Sequence, residues 1–460
     1  MSSPSEQTAA PASRGHLLQI LGVAFGLAVI VGNTIGVGIL RTPGDVAKQL
    51  PSSLWFLGVW VIGGIYALLG ALTLAELGAM LPVSGGQYVY ARRAFGDYAG
   101  FAIGWSDWLS SCAANALISV TIGDYSDVLF PVLHGHSVAI AVLMMSLLTA
   151  INVKGIRAGD LTQQITSLLK TLVLVGLAGV CLVFVPESPV SSAVSGPGPS
   201  WIPTFTALVL ACQGVIYTYD GWNGLLYFSG EVKNPGRDIP RSMAGGVLAV
   251  IAIYLLLNVA FMRVLPLSTM SGETLVAAAA AKAIFGPKGD TVVRVVIVLS
   301  LFSAANAILL IGSRLPYGLS RDGLIARGMS NVNPGGTPVP ALLITTLATI
   351  ALIVSGTFNQ ILALAAFFYV VQYTASFLAV IVLRRREPEL PRPYHAIGYP
   401  WVTWFLVFGS LAFLVGNVLT DLRNSLISLG LLIASYPVYR LARRETGDGR
   451  RETGDVRRKR

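Results

Sequence analysis

Long apolar segments place the strongest constraint on how this chain can fold. Four of them, at residues 54–72, 164–185, 243–262 and 338–355, together contain a single charged residue, Lys170. Each is about long enough to cross the hydrocarbon core of a bilayer, which takes roughly 20 helical residues. Only 12% of the whole chain is charged, about half the share that is usual in soluble domains. The sequence therefore predicts a polytopic membrane protein.

The hydropathy pattern predicts an all-α fold with twelve transmembrane helices. A polar tail at 1–16 precedes them, and a basic tail at 442–460 follows them. The predicted helices are 17–40, 54–81, 98–130, 137–153, 163–186, 201–230, 242–263, 290–318, 338–355, 360–383, 400–417 and 424–441.

The positive charge is distributed unevenly between the two sides of the predicted membrane domain. The side that holds both tails has 24 of the 32 lysines and arginines, and the opposite side has 7. Cytoplasmic loops carry the excess of Lys and Arg, so both termini are predicted to be cytoplasmic in a multi-pass protein of the cell membrane. The net charge of +10 is therefore attributed to the orientation of the protein in a lipid bilayer, its expected partner. Binding to nucleic acid is not expected.

Two predicted helices contain glycine-rich polar segments that disfavour a continuous helix. The first is VGNTIGVGIL at 31–40, and the second is QGVIYTYDGWNG at 213–224. Each interior glycine destabilises a helix by about 1 kcal/mol relative to alanine. Non-helical backbone at membrane depth is tolerated where it lines a cavity or is buried in protein, which predicts a break in both helices. The alternative is glycine-mediated helix packing, which the spacing of Gly32 and Gly36 also fits.

Broken helices present charges that suit a zwitterionic ligand. The N-terminus of a half-helix offers unpaired N–H groups for a carboxylate, and a C-terminus offers carbonyls for an ammonium group. An α-amino acid carries both groups on one carbon. Asp220 lies in the second break. It either caps the broken backbone or binds the ammonium group, or it titrates and couples transport to protons.

Six segments carry the motifs of one transporter group. Together they resemble the amino acid–polyamine–organocation (APC) superfamily, and within it the L-type amino-acid transporter-like branch. The segments are GNTIGVGIL (32–40), AELGAMLPVSGGQYVYARRAFG (75–96), YDGWNGLLYFSGEVKNPGRDIPRSM (219–243), SRLPYGLSRDGLIA (313–326), TPVPALL (337–343) and LRRREPELPRPYHAIGYP (383–400).

This resemblance implies a LeuT-like architecture. Helices 1–5 at 17–186 and helices 6–10 at 201–383 would form an inverted repeat, in which helices 1 and 6 are broken. Helices 11 and 12 would occupy 400–441.

The resemblance also implies which residues bind the substrate. The carboxylate would meet N–H groups near Val37 and Gly38, and the ammonium group would meet carbonyls of both broken helices. Tyr217 occupies the position of an aromatic gate. The predicted substrate-binding residues are Thr34, Ile35, Gly36, Val37, Gly38, Tyr217, Thr218, Asp220, Gly221, Trp222 and Asn223.

A second implied group replaces the sodium ion of sodium-coupled relatives. Lys170 matches the lysine that takes this role in the family, and Tyr254 is expected to support it against the first helix. The alternative for Lys170 is an ammonium group that extends to the cytoplasmic surface.

The chain departs from its relatives at three places. Val37 replaces a frequent serine, and Asp220 replaces glycine in several members. The loop at 131–137 has no cysteine, so no disulfide-linked accessory subunit is expected. Two further acids, Glu76 and Asp107, are predicted to be hydrogen-bonded parts of the scaffold, with Asp107 near Asn115.

These features predict a sodium-independent amino-acid transporter that works by alternating access, as an exchanger of neutral amino acids. Neutral substrates are favoured because no carboxylate beyond Asp220 is evident for a cationic side chain. Proton-coupled symport of amino acids or amines is one alternative, and a membrane sensor that binds an amino acid without moving it is another. Catalytic motifs such as H-E-x-x-H and G-x-S-x-G are missing from the sequence, so no enzyme, cofactor or metal site is predicted.

Overall fold

The structure is a computed structural model that describes residues 21–83, 85–154, 160–183, 204–334 and 336–458. Within these ranges, the residues 154–171 and 444–458 are described by their backbone alone. All regular structure in the described ranges is helical, apart from one isolated bridge between Leu21 and Val232.

The described residues form sixteen α-helices and three short 3-10 helices. The 3-10 helices are Pro131–Leu133, Gly224–Glu231 and Arg327–Ser330. The α-helices are α1 Val23–Thr34, α2 Val37–Gln49, α3 Ser53–Met80, α4 Gln87–Phe95, α5 Asp97–Leu129, α6 Ser137–Lys154, α7 Asp160–Val183, α8 Phe205–Tyr219, α9 Pro235–Val264, α10 Leu267–Met270, α11 Val276–Phe285, α12 Pro287–Arg321, α13 Val339–Ser355, α14 Phe358–Arg386, α15 Trp401–Thr420 and α16 Leu422–Arg458.

Each of the twelve predicted membrane helices corresponds to one α-helix or to one interrupted helix. The first predicted helix consists of α1 and α2, which meet at an angle of 46°. The sixth consists of α8 and the 3-10 helix Gly224–Glu231. The short helices α4, α10 and α11 lie in the connections. Among the described residues, six helices are long and apolar enough to cross a membrane alone, and the bent pair makes seven. The fold is therefore an all-α, multi-pass membrane fold.

The helices differ in how deeply they are buried. The most apolar segment of α14 is 78% buried, whereas those of α15 and α16 are 33% and 28% buried. Helix α5 packs against α12 and α14, and α2 packs against α8. Helix α14 therefore lies in the interior of the bundle beside α5, while α15 and α16 lie at the periphery.

One buried carboxylate joins α3 to the segment after α14. Glu76 is 1% exposed, and it accepts hydrogen bonds from Arg384 Nε at 2.7 Å and from the backbone N–H of Ala396 at 2.7 Å. The guanidinium of Arg384 also lies over the ring of Tyr399, 3.7 Å from its centroid. The prediction that Glu76 is a hydrogen-bonded part of the scaffold is confirmed.

We expect Glu76→Gln to destabilise the protein, because it leaves Arg384 without its counter-charge. Removing one partner of a buried ion pair costs roughly 3–5 kcal/mol, and the partial exposure of Arg384, 19%, places the effect at the lower end. Thermal denaturation in detergent measures it. Glu387→Gln is the matched control, since its partner Arg93 is 53% exposed and such surface pairs contribute about 1 kcal/mol or less. Equal losses in the two variants would contradict this prediction.

Candidate substrate site between the two broken helices

The first break separates α1 from α2 at two residues. Ile35 leaves the helical region with φ −74° and ψ 93°, and Gly36 is extended with φ −133° and ψ −150°. In the described part of the chain, no side chain caps the start of α2 at Gly36. The first N–H groups of an α-helix have no partner within the helix, so those of Val37 and the following residues face the break.

The second break follows α8. Asp220 is extended with φ −60° and ψ 151°, and Gly221 has φ +111°, a conformation that favours glycine. A Cβ atom on Gly221 would lie 2.9 Å from the carbonyl carbon of Asn33. The two breaks therefore touch each other, and the contact requires glycine at position 221.

A single hydroxyl group holds the ends of both broken helices. Tyr254 Oη on α9 donates to the carbonyl oxygen of Thr34 at 2.6 Å and to that of Thr218 at 2.9 Å. Both carbonyls belong to the last turn of an interrupted helix, where no further helical N–H group is available. Tyr254 is fully buried. Its contact with the first helix was expected, and its contact with α8 is new.

Glycines on α2 and α8 allow these helices to pack closely. A Cβ atom on Gly38 would lie 2.7 Å from the Cα of Thr218, and one on Gly214 would lie 2.7 Å from Cγ2 of Thr42. The hydroxyl of Thr218 lies 3.0 Å from that of Thr42. These glycines serve helix packing, as the alternative explanation of the sequence proposed.

The glycines at 32 and 36 do not serve helix packing. Among the described atoms, a Cβ on Gly32 would meet none within 4 Å, and one on Gly36 would meet the Thr34 carbonyl oxygen at 3.9 Å. Both residues line a cavity instead. The packing interpretation of the Gly32 and Gly36 spacing is therefore wrong in this structure.

The cavity has a volume of about 630 Å³ and lies between the breaks and three surrounding helices. It is lined by one face of α5, at positions 107, 111, 114 and 118, and by ten residues of α12, at positions 304, 307, 308, 310, 311, 313, 314, 315, 317 and 318. The α5 series has the spacing of one helix face. The lining also includes Tyr88 on α4 and Val332, so the cavity extends to the end of the bundle where α4 lies.

Five of the eleven predicted substrate-binding residues line this cavity. They are Ile35, Gly36, Asp220, Gly221 and Asn223. The other six are buried in contacts around it, and their predicted roles stay predictions. They are Thr34, Val37, Gly38, Tyr217, Thr218 and Trp222.

Asp220 is held by aromatic residues of α14. Its Oδ1 accepts a hydrogen bond from the hydroxyl of Tyr373, and Tyr369 lines the cavity beside it. The ring of Trp222 packs against that of Tyr373, with centroids 5.0 Å apart. Trp222 therefore positions the tyrosine that binds Asp220.

Asp107 also lines the cavity, contrary to the sequence-based expectation. Its Oδ2 accepts a hydrogen bond of 2.6 Å from Tyr227 Oη, whereas the side-chain atoms of Asn115 have no hydrogen-bond partner among the described residues. The prediction that Asp107 is hydrogen-bonded is confirmed, and the prediction that it lies near Asn115 is wrong. Eight residues along an α-helix separate the two by about 12 Å, which is too far for a direct contact.

The end of the bundle opposite α4 is closed by a contact that the sequence did not reveal. Arg41 Nη1 on α2 lies 2.7 Å from Asp124 Oδ2 on α5, and its guanidinium lies 3.8 Å from the ring centroid of Phe358 on α14. Nearby, Tyr125 Oη donates to the Thr274 carbonyl at 2.7 Å. The sequence places Arg41 just beyond the first predicted helix, and only the register of α2 and α5 could have identified its partner.

Lys170, the predicted substitute for sodium, lies in α7. Its side chain falls outside the described residues, so its role stays a prediction.

Comparisons with known proteins identify the family of this chain. A profile of the amino acid permease family matches residues 19–434, most of the chain. The chain belongs to the amino acid permease family.

Named relatives cover nearly the whole of this permease. The serine/threonine exchanger SteT of Bacillus subtilis is 30% identical over 91% of this chain and 95% of its own length. The large neutral amino acids transporter small subunit 2 of Mus musculus is 28% identical, over 95% of this chain and 83% of its own. The Asc-type amino acid transporter 1 of Mus musculus is 31% identical, over 83% and 73%.

We expect Tyr254→Phe to slow transport by about tenfold or more, because small displacements of positioning groups have effects of this size. It should also lower the free energy of unfolding by about 1–3 kcal/mol, since two buried carbonyls lose a donor. Uptake in liposomes and thermal denaturation measure the two effects.

The matched control for this prediction is Tyr66→Phe. That hydroxyl lies 2.7 Å from Ser410 Oγ, and Tyr66 does not line the cavity. The control should lose stability and keep its rate of uptake. Equal slowing in both variants would show that Tyr254 does not act through the breaks.

Proposed function

We propose that this permease is a sodium-independent exchanger of amino acids in the cell membrane. As a member of the amino acid permease family, the chain is an amino-acid transporter and not an enzyme. The relatives named above are called exchangers or transporters of amino acids. The sequence favours neutral amino acids as substrates.

The observation that carries this proposal is the meeting of two broken helices in one cavity. The α-carboxylate of the substrate would accept hydrogen bonds from the backbone N–H groups of Val37 and Gly38 at the start of α2, where the helix dipole favours negative charge. Its ammonium group would lie between the end of α1 and the carboxylate of Asp220. The protein would then replace the hydrogen bonds that water makes to both charged groups of the zwitterion in solution.

The asymmetry of the structure supports alternating access. The cavity extends to the α4 end, while Arg41, Asp124 and Phe358 close the opposite end. We infer that both termini are cytoplasmic, as the loop charges predict, so this conformation is open toward the cytoplasm. The repeats at 17–186 and 201–383 would move against each other around the breaks.

Sodium independence rests on the match of Lys170 to the family lysine, together with Tyr254 as its neighbour at the first helix. A fixed ammonium group would provide the charge that a coupled sodium ion provides elsewhere. Because the loop at 131–137 has no cysteine, we propose that the permease works without a disulfide-linked accessory subunit.

We expect liposomes that contain the permease and unlabelled amino acids to take up labelled amino acid equally well in sodium and choline buffers. Gly36→Val should abolish this uptake without unfolding the protein, because the new side chain has space but occupies the carboxylate site. Gly409→Val, at an exposed position with open space on α15, is the matched control.

Three results would contradict this proposal in different ways. If no amino acid or amine in a broad panel is taken up, the chain is not the proposed carrier. Binding without uptake would favour the sensor. A strict requirement for sodium would refute the assigned role of Lys170.

Proton coupling is the second candidate, because Asp220 lies in the cavity. For an exchanger, we expect empty liposomes with an imposed pH gradient to accumulate no amino acid, in the parent and in Asp220→Asn alike. Accumulation in the parent that is lost in Asp220→Asn would establish proton symport and overturn the exchange mechanism.

A further inference from the structure

The cavity lining includes two acidic side chains that the proposed mechanism does not use, the half-buried Glu231 and the buried Asp107. Asp107 is 5% exposed and lies on the cavity face of α5, one turn from Ser111. Among the residues whose side chains are described, its carboxylate has one hydrogen-bond partner, Tyr227 Oη at 2.6 Å, and no ion-pair partner. A carboxylate at membrane depth costs about 3 kcal/mol, so such groups mark pathways for ions and substrates.

The position of Asp107 differs from that of Asp220. Tyr227 lies on the 3-10 helix after the second break, and its ring is so close to Gly86 that a Cβ there would be 2.5 Å from Tyr227 Cε1. Gly86 immediately precedes α4. The Asp107 carboxylate therefore lies between the breaks and the α4 end of the cavity, and it is close enough to Asp220 for the two to interact electrostatically.

The charges in the cavity do not balance for a zwitterionic substrate. Its carboxylate is assigned to the start of α2 and its ammonium group to Asp220, which leaves Asp107 without a counter-charge. Among the described residues that line the cavity, the basic one is Arg314, which is exposed at the end of α12. Glu231 is a third acid in the lining, less buried than Asp107, so one arginine does not balance the acids. A second positive group on the substrate would supply the missing charge.

We propose that Asp107, held by Tyr227, forms a second cation subsite that binds the positively charged side chain of an amino acid. The permease then accepts cationic amino acids in addition to neutral ones. This inference rests on the proposed function and extends its substrate class. The expectation of neutral substrates alone depended on Asp220 being the single carboxylate available, and the place of Asp107 in the cavity removes that reason.

Isosteric substrate pairs test this subsite. Arginine is compared with citrulline, and lysine with 2-aminoheptanoic acid, as competitors for the exchange of a labelled neutral amino acid in liposomes. Because hydrogen bonds between charged groups are the stronger ones, we expect arginine and lysine to compete at concentrations about tenfold or more below those of their neutral isosteres.

Variants of Asp107 and Tyr227 test whether this carboxylate causes the preference for cationic over neutral competitors. Asp107→Asn should reduce the concentration ratio within each pair to about twofold or less, and Tyr227→Phe should reduce it in part, since the carboxylate loses its positioning hydrogen bond. Glu389→Gln removes a carboxylate from the exposed segment after α14 and should keep the ratio of the parent.

The outcomes separate this inference from the proposed function. Absence of any neutral exchange in the parent contradicts the proposed function itself. Neutral exchange with equal competition by arginine and citrulline contradicts the subsite and leaves the function standing. An unchanged ratio in Asp107→Asn also contradicts the subsite. If that variant does not fold, an unchanged ratio in Tyr227→Phe contradicts the subsite in its place.

Discussion

Backbone hydrogen bonding inside the hydrocarbon layer is the constraint on which the rest of this structure depends. An interrupted helix frees N–H and carbonyl groups where no water is available to bind them. The chain solves this by placing both interruptions against each other, so that Tyr254 donates to a carbonyl of each. Of the residues at the start of α2, Gly36 lines the cavity.

This arrangement explains why the glycines of the two segments are not equivalent. Gly38, Gly214 and Gly221 lie where any Cβ would enter the neighbouring helix or break, so they determine how closely the interrupted helices approach. Gly32 and Gly36 have open space on the cavity side. A ligand can therefore reach bare backbone at these two positions, while the close contacts beside them keep that backbone in place.

The features predicted correctly from the sequence are local ones. Each membrane helix is encoded by its own apolar segment, and each break by glycines within ten residues of it, so hydropathy and composition were sufficient. Side-chain partners were not predictable in this way. Arg41 and Asp124 are 83 residues apart in the sequence, Tyr227 and Asp107 are 120 apart, and Tyr254 and Thr34 are 220 apart. Only the packing of α2, α5 and α9 brings these pairs together. The error about Asp107 has the same origin, because its true partner comes from the segment after the second break, and the sequence does not state which face of α5 meets the cavity.

The two ends of the bundle are held by contacts of different strength, as a carrier requires. Glu76 is buried and bound by Arg384 and Ala396, so its contacts hold α3 firmly to the segment after α14. The Asp124 carboxylate is 29% exposed, against 1% for Glu76, so water solvates it when its pair with Arg41 separates. Opening at that end therefore leaves a hydrated carboxylate, whereas separation of Glu76 from Arg384 would leave a buried one. A ligand shifts the equilibrium between two conformations only by the difference in its affinity for them. The contact at the end that must open therefore has to be weak enough for that difference to break it.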